Sequence, residues 1–406
     1  MKKFFLLCAF IPSLCGYAYS DVKVMGNADT YHAVQVKDPY AYMSSRTSAR
    51  VDAQFTMDDT LAFISIKGEK NNVVETETGV EVREAYAEYV SEHFELRGGR
   101  QLIIWGKADG FQITDIICPK DYTEFLARDF DEMRIAVDGM KAGINFDPVI
   151  IQLVWLPVFQ PAEFPGEESP WRVEQYDGNR LSVRNYDACE PEHNIKNSEG
   201  GGRISVNLPG IDFGFSYFYT WSDSPSLHNR GLTGTDLEAD MEYHRLSFYG
   251  AEFSIPAGDF VLRGESAFYT NCYYEQDNYT EEPLKKNNVK GLAGVDWTPG
   301  GNWTVSVQVY EDYICGYVKD LQQSQNSVVS TLRIEKKLFR EQFTLTTMLF
   351  YGFNDRDCFD RTSADFALSD ALHVLAGFDI FAGSEDGDYG RYSDNSEVWG
   401  RMKYSF

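Results

Sequence analysis

Long apolar runs, basic residues and clustered cysteines are all scarce in this 406-residue chain. Beyond the first twenty residues no run of about 18 or more apolar residues occurs, which excludes a bundle of membrane-spanning helices. Lys and Arg number 37 against 62 Asp and Glu, a net charge of −25. A polyanion would be repelled, so nucleic-acid binding through bulk charge is excluded too. The five cysteines past residue 20 (Cys118, Cys189, Cys272, Cys315 and Cys358) are odd in number and far apart, with no CxxC spacing. They support neither a disulfide framework nor a zinc site. One or two loop disulfides stay open, and the sequence does not pair them.

Aromatic residues, by contrast, make up 15% of the chain, with 25 Tyr and 28 Phe. That much ring surface has to be covered by something, which excludes a disordered chain. Yet the mean hydropathy is −0.37. The apolar residues are therefore dispersed, and the length fits two ordinary domains or one large all-β domain.

Residues 1–20 (MKKFFLLCAFIPSLCGYAYS) carry Lys2 and Lys3, then a short apolar core, then Ala18 and Ser20 as small residues before a cut ahead of Asp21. This pattern is a secretory signal peptide. Leu7 and Leu14 precede the two leader cysteines, so lipidation is not expected. Removing two lysines leaves the mature chain, residues 21–406, at −27 as a single expected domain.

From about residue 50 onward, segments alternate apolar and polar with the two-residue period of strands. In 303–309 (WTVSVQV) Trp303, Val305, Val307 and Val309 share one face, and Thr304, Ser306 and Gln308 share the other. Residues 343–351, 328–337 and 372–381 repeat the pattern. Tight turns are expected near 58–59, 91–92, 147–148, 209–210, 256–258, 299–301, 340 and 370. Long connections are expected near 31–44, 71–79, 107–130, 158–201, 223–241, 271–288, 314–326, 354–361 and 384–396. Strict alternation of short and long connections predicts roughly 16 to 18 strands, 18 preferred, with both chain ends on the short-turn side. The prolines past the leader all fall in turns, loops or strand ends, as a residue without an N–H must in a sheet. A sandwich would not sort its connections this way, and no propeller repeat of about 40–50 residues is present. The fold expected is an all-β, transmembrane antiparallel up-and-down barrel.

The chain stops at VWGRMKYSF, with Met402, Tyr404 and Phe406 on one face and Arg401, Lys403 and Ser405 on the other. A terminal Phe on such a strand resembles the signal read by the outer-membrane barrel assembly machinery. Stretches 96–106 (LRGGRQLIIWG), 115–122 (DIICPKDY), 154–161 (VWLPVFQP) and the tail from Leu368 also resemble porin-like outer-membrane barrels of diderm bacteria. Within these the chain is similar to a poorly characterised group known only as a domain of unknown function.

The resemblance implies an outer-membrane location, contact with lipid and lipopolysaccharide or an equivalent, and passive diffusion of small hydrophilic solutes. A monomer and a homotrimer are both compatible with it. At that strand number the lumen stays open to water. By parity the pore-lining candidates are Lys67, Arg263, Glu265, Arg333, Glu335, Lys337, Arg401 and Lys403. General porins fold the loop after the fifth strand into the pore, which makes 107–131 the expected constriction, with Asp115, Lys120, Asp121, Glu124, Arg128 and Asp131. Its segment 119–130 has a helical spacing at Tyr122, Phe125 and Leu126. The loop 158–201 is long enough for a lid or plug.

No histidine sits in a motif that positions a nucleophile or metal, so no enzyme and no catalytic residue is expected. The acidic loops 385–388 and 394–397 offer at most a weak Ca²⁺ ligand set without the spacing of a calcium loop. No other cofactor is implied. A receptor, adhesin or structural role through the acidic loops is the alternative reading, with a barrel-embedded hydrolase behind it.

Overall fold

The computed structural model describes residues 21–406 except 107–111, 131, 173–180, 184–189, 234–235 and 279. The leader and Asp131 therefore lie outside the described residues. In chain order the strands are β1 (Asp21–Gln35), β2 (Tyr42–Met57), β3 (Thr60–Asn71), β4 (Gly79–Val90), β5 (Phe94–Gln101), β6 (Val137–Phe146), β7 (Val149–Leu156), β8 (Leu181–Val183), β9 (Glu199–Leu208), β10 (Ile211–Trp221) and β11 (Ser226–Thr233). They continue with β12 (Asp236–Glu242), β13 (Arg245–Ala257), β14 (Phe260–Tyr274), β15 (Leu284–Trp297), β16 (Trp303–Cys315), β17 (Asn326–Leu338), β18 (Phe343–Gly352), β19 (Asp357–Ala367), β20 (Leu372–Ala382) and β21 (Glu397–Ser405).

All but β8, β11 and β12 belong to one 18-stranded sheet. Each strand pairs antiparallel with the next, and β21 pairs with β1, so the sheet closes on itself. Closure removes the two edges that an open sheet would expose. At the seam Phe406 N–H donates to Gly26 O and Gly26 N–H to Phe406 O, both at 3.0 Å. Met402, Tyr404 and Phe406 are exposed on the outer face of that seam.

Burial along the strands is inverted relative to a water-soluble sheet. Val307 and Val309 are 45% and 46% exposed, while Ser306 and Gln308 between and beside them are 3% and 2% exposed. Exposed apolar residues recur on every barrel strand sampled, among them Val51, Leu153, Phe215, Leu262, Leu345 and Val398. A continuous apolar outer face with a polar inner face is what hydrocarbon outside and water inside demand. Rings cluster near the short-turn end, where Phe260 and Trp297 stack at 6.0 Å and Lys336 lies over Trp303 at 4.5 Å.

Every short turn falls within a residue or two of its expected place. The strands run further on the long-loop side than expected: β1 reaches Gln35, β14 reaches Tyr274 and β19 begins at Asp357. Those extensions rise beyond the apolar band, carry polar residues on both faces and so lose the alternation that marks a strand. The 222–244 connection also holds a hairpin of its own, β11 with β12, to which β8 adds in parallel.

Candidate pore constriction

In the connection from β5 to β6, residues 102–136, the described residues lie inside the barrel and touch opposite walls. Gly106 starts the turn at φ +96°, a conformation that a side chain opposes, and a Cβ there would stand 3.0 Å from Thr114 Oγ1 and 3.1 Å from Glu265 Oε1. The backbone N–H groups of Ile113 and Thr114 donate to Glu265 Oε2 at 2.8 and 3.0 Å. The Thr114 hydroxyl reaches both Glu265 and Glu252 at 3.1 Å. Glu252 and Glu265 are directly opposed on β13 and β14, and Arg203 on β9 pairs with Glu252. Two neighbouring carboxylates on the wall thus receive the loop's donors.

The other end of the loop is fastened near the seam. Glu124, 4% exposed, pairs with Arg46 of β2 and accepts from Ser44 Oγ at 3.1 Å. Arg128 pairs with Asp121 and lies 3.4 Å from Glu77. Arg361 Nη1 on β19 donates to Ala127 O at 2.6 Å, and its Nη2 lies 3.4 Å from Asp129. Arg401 on β21 meets Asp129, Asp29 at 2.5 Å and Glu132 at 3.0 Å. Around the ring β2 is the second strand and β14 the eleventh of eighteen, which puts the two attachment sites on opposite walls.

Burial alone would raise the carboxyl pKa of Glu124, Asp129 and Glu132, but the facing arginines outweigh it and hold all three below the ordinary carboxylate range. Near neutral pH these three carboxylates are therefore charged.

Apolar packing completes the attachment. Ile103, Trp105, Ile113, Ile117 and Cys118 of the loop pack on the inner face of β6, β7, β10 and β13 to β15. Ala127 packs with Tyr31, Trp171, Phe350, Phe381 and Trp399 on the seam side. The 119–130 segment is not helical. It runs through turns, with Phe125 at φ +48°, and Phe125 stacks on Tyr392 at 4.2 Å. Its aromatic spacing serves contacts with the wall and the next loop rather than a helix face.

The 157–198 connection lies on this loop through its residues 163–171. Tyr122 N–H donates to Glu163 O at 2.7 Å and Ser169 Oγ to Thr123 O at 3.1 Å, while Trp171 is buried against Phe381 and Tyr392. Its residues 173–180 and 184–189 are outside the described set.

Lys67, Arg263, Glu265, Arg333, Glu335, Lys337, Arg401 and Lys403 all fall on the inner face by register, opposite the exposed apolar positions. They are not isolated charges. Lys67 pairs with Glu69 at 2.6 Å, Arg263 with Asp296 at 2.6 Å and Arg333 with Glu335 at 2.5 Å. Lys337 stands 3.7 Å from Glu341 at the turn rim, and Lys403 lies opposite Asp29 and His373. On the loop, Lys120 and Arg134 both bind Asp115 Oδ2, at 2.6 and 2.8 Å.

Sequence reasoning missed Arg46, Arg361 and Glu252. Parity could have found Glu252, which shares a strand face with Gly250 and Ser254. Arg46 and Arg361 sit where alternation fades, so no local signal marked them. Among the described residues no group of three or more His, Cys, Asp or Glu could hold a metal ion, and Cys118, Cys272, Cys315 and Cys358 are free thiols.

No curated protein matches the chain. Among solved structures, OpdL of Pseudomonas aeruginosa matches over 95% of this chain and 99% of its own, at 10% identity and a TM-score of 0.56. OccAB4 of Acinetobacter baumannii matches over 96% and 99%, at 9% identity and a TM-score of 0.56. OccK5 (OpdH) of Pseudomonas aeruginosa covers 95% and 97%, at 10% identity and a TM-score of 0.54. At such identities the likeness is one of fold, and it is a porin-like barrel along nearly the whole length of each. The model of the family described as "Protein of unknown function (DUF1302)" matches residues 18–331, and this porin-like barrel therefore belongs to that family.

Proposed function

We propose that the chain is an outer-membrane channel for passive diffusion of small hydrophilic solutes, and that it is not an enzyme. One observation carries the reading: a loop crosses the lumen of a charge-lined barrel and is tied to both walls. A barrel of 18 strands is wide enough for a water-filled interior. An inserted loop is the usual way to narrow one, and the paired charges beside it would set which ions pass. The exposed apolar belt supports lipid and lipopolysaccharide, or an equivalent, as its surroundings. The outward Met402, Tyr404 and Phe406 support recognition by the barrel assembly machinery. Both a monomer and a homotrimer fit this reading.

Purified protein in planar bilayers should give discrete conductance steps. Silent bilayers, from a preparation whose barrel shifts normally on heating before electrophoresis, would overturn the channel reading.

A further inference from the structure

On the long-loop side, a histidine pair joins two loops that have no sequence relation to the constriction. His228 lies on β11, and its Nδ1 is 2.7 Å from a Glu282 carboxylate oxygen in the β14–β15 connection. Its Nε2 is 2.8 Å from Nε2 of His244, the residue just before β13. The His244 ring lies flat on Tyr273 of β14, with centroids 3.6 Å apart. Asn229 Nδ2 donates to Thr280 O at 2.5 Å, and Leu227 N–H to Glu275 at 3.2 Å, so the hairpin is laid along the same neighbouring loop.

Proton bookkeeping around the pair is restrictive. A carboxylate at Nδ1 favours a proton there on His228. The short Nε2 to Nε2 contact then needs one N–H and one lone pair. A pair carrying one extra proton can keep this arrangement, because charged His228 donates to neutral His244 while Glu282 balances its charge. A doubly protonated pair cannot, since two N–H groups would then point at each other.

We propose that His228 and His244 form a proton-operated latch that docks the β11–β12 hairpin on the β14–β15 connection and releases it when both rings are charged. The charged groups facing it are Glu282, Glu275 and Asp240 around His228, with Arg230 two residues along β11. Around His244 they are His228 and Lys285, with Tyr273 beneath and Arg245 next in the chain. Glu282 stands at the far side of His228, whereas His244 faces His228 and Lys285, so His244 is the group whose protonation opens the latch. Burial, then the nearby His228 and Lys285, lowers the His244 pKa from 6.5 to about 4.

The sign follows from that shift. A ring whose docked pKa is depressed contributes to docking above its free value, and the contribution is lost as pH falls towards the docked value. The docking equilibrium should weaken by up to about tenfold per pH unit between 6.5 and 4, and by less because the ring is only half buried.

Hydrogen exchange of the full chain in detergent tests this without any conductance measurement. Corrected for intrinsic rates, exchange across 226–242 should rise from pH 7 to pH 4.5. His244→Gln keeps a hydrogen-bonding side chain that does not titrate, and should remove the rise. His228→Gln should blunt it by removing the ring nitrogen that His244 meets. A flat wild-type profile, or an unchanged rise in His244→Gln, would overturn the latch while leaving the channel proposal untouched.

Discussion

The amide and the hydroxyl of Thr114 both donate to one oxygen of Glu265, at 3.0 and 3.1 Å, across the barrel from the loop's arginine clamp. A residue on the inserted loop is thus held by a wall residue 151 positions later in the chain. Because Ile113 N–H shares the same oxygen, truncating Glu265 leaves two buried backbone donors without their acceptor and the Thr114 hydroxyl with Glu252 alone. Glu265→Ala should destabilise the loop's attachment by about 3 kcal/mol. The expected readout is larger and noisier single-channel conductance, with the barrel still heat-modifiable. Conductance equal to wild type would mean that the loop is held without this contact.

The opposite attachment should respond to acid in a different range from the histidine latch. Glu124, Asp129 and Glu132 have pKa values depressed by Arg46, Arg361 and Arg401 in spite of burial. Groups depressed in the folded state contribute stability above their unfolded pKa and lose it as pH falls through the folded one. The clamp should therefore be unchanged from pH 7 down to the ordinary carboxylate range, and loosen below it. Glu124→Gln leaves Arg46 buried with a neutral partner, at a cost of about 3 to 5 kcal/mol. Hydrogen exchange over 112–136 measures both effects. Loosening of this segment near pH 6 would contradict the assignment.

These two attachments also show where sequence stops being legible. Period-two alternation reveals a strand only while one face meets lipid, so 303–309 was plain and the upper parts of β1, β14 and β19 were hidden. Arg361 closes the 354–361 stretch, whose weak alternation predicts a loop, although it lies on β19 and holds Ala127 and Asp129. Resemblance to porins located the inserted loop, but nothing local could say that Glu124 would face Arg46, 78 residues earlier. Inner-face parity placed Arg333 and Glu335 together; whether they stood free or paired depended on rotamers that a pattern of faces does not contain.

Arg333 gives the test of ion selectivity. It pairs with Glu335 at 2.5 Å on the inner face of β17, near Ser306 of β16. Arg333→Glu places two carboxylates together and removes a positive charge from the lumen. The cation-to-anion permeability ratio should rise on the order of twofold, read as a shifted reversal potential in a salt gradient. An unchanged reversal potential would show that this face does not line the conducting path.

The seam between β1 and β21 makes the last prediction, about assembly. Gly26 exchanges two backbone hydrogen bonds with Phe406 at the point where the barrel closes. A Cβ on Gly26 would stand 2.5 Å from Arg50 O and 2.5 Å from Phe406 Cζ, so even a methyl group forces the terminal ring or β2 to move. Gly68 on β3 is a fair control, since its nearest neighbour would be 3.8 Å from the added carbon. Gly26→Ala should cost about 1 to 3 kcal/mol of seam stability and lower the fraction of heat-modifiable barrel. Gly68→Ala should not. Deleting Phe406 removes the same contact from the other side, and should lower assembly at least as much as Gly26→Ala. Equal yields of folded barrel from all three variants would show that closure does not depend on the Gly26–Phe406 contact.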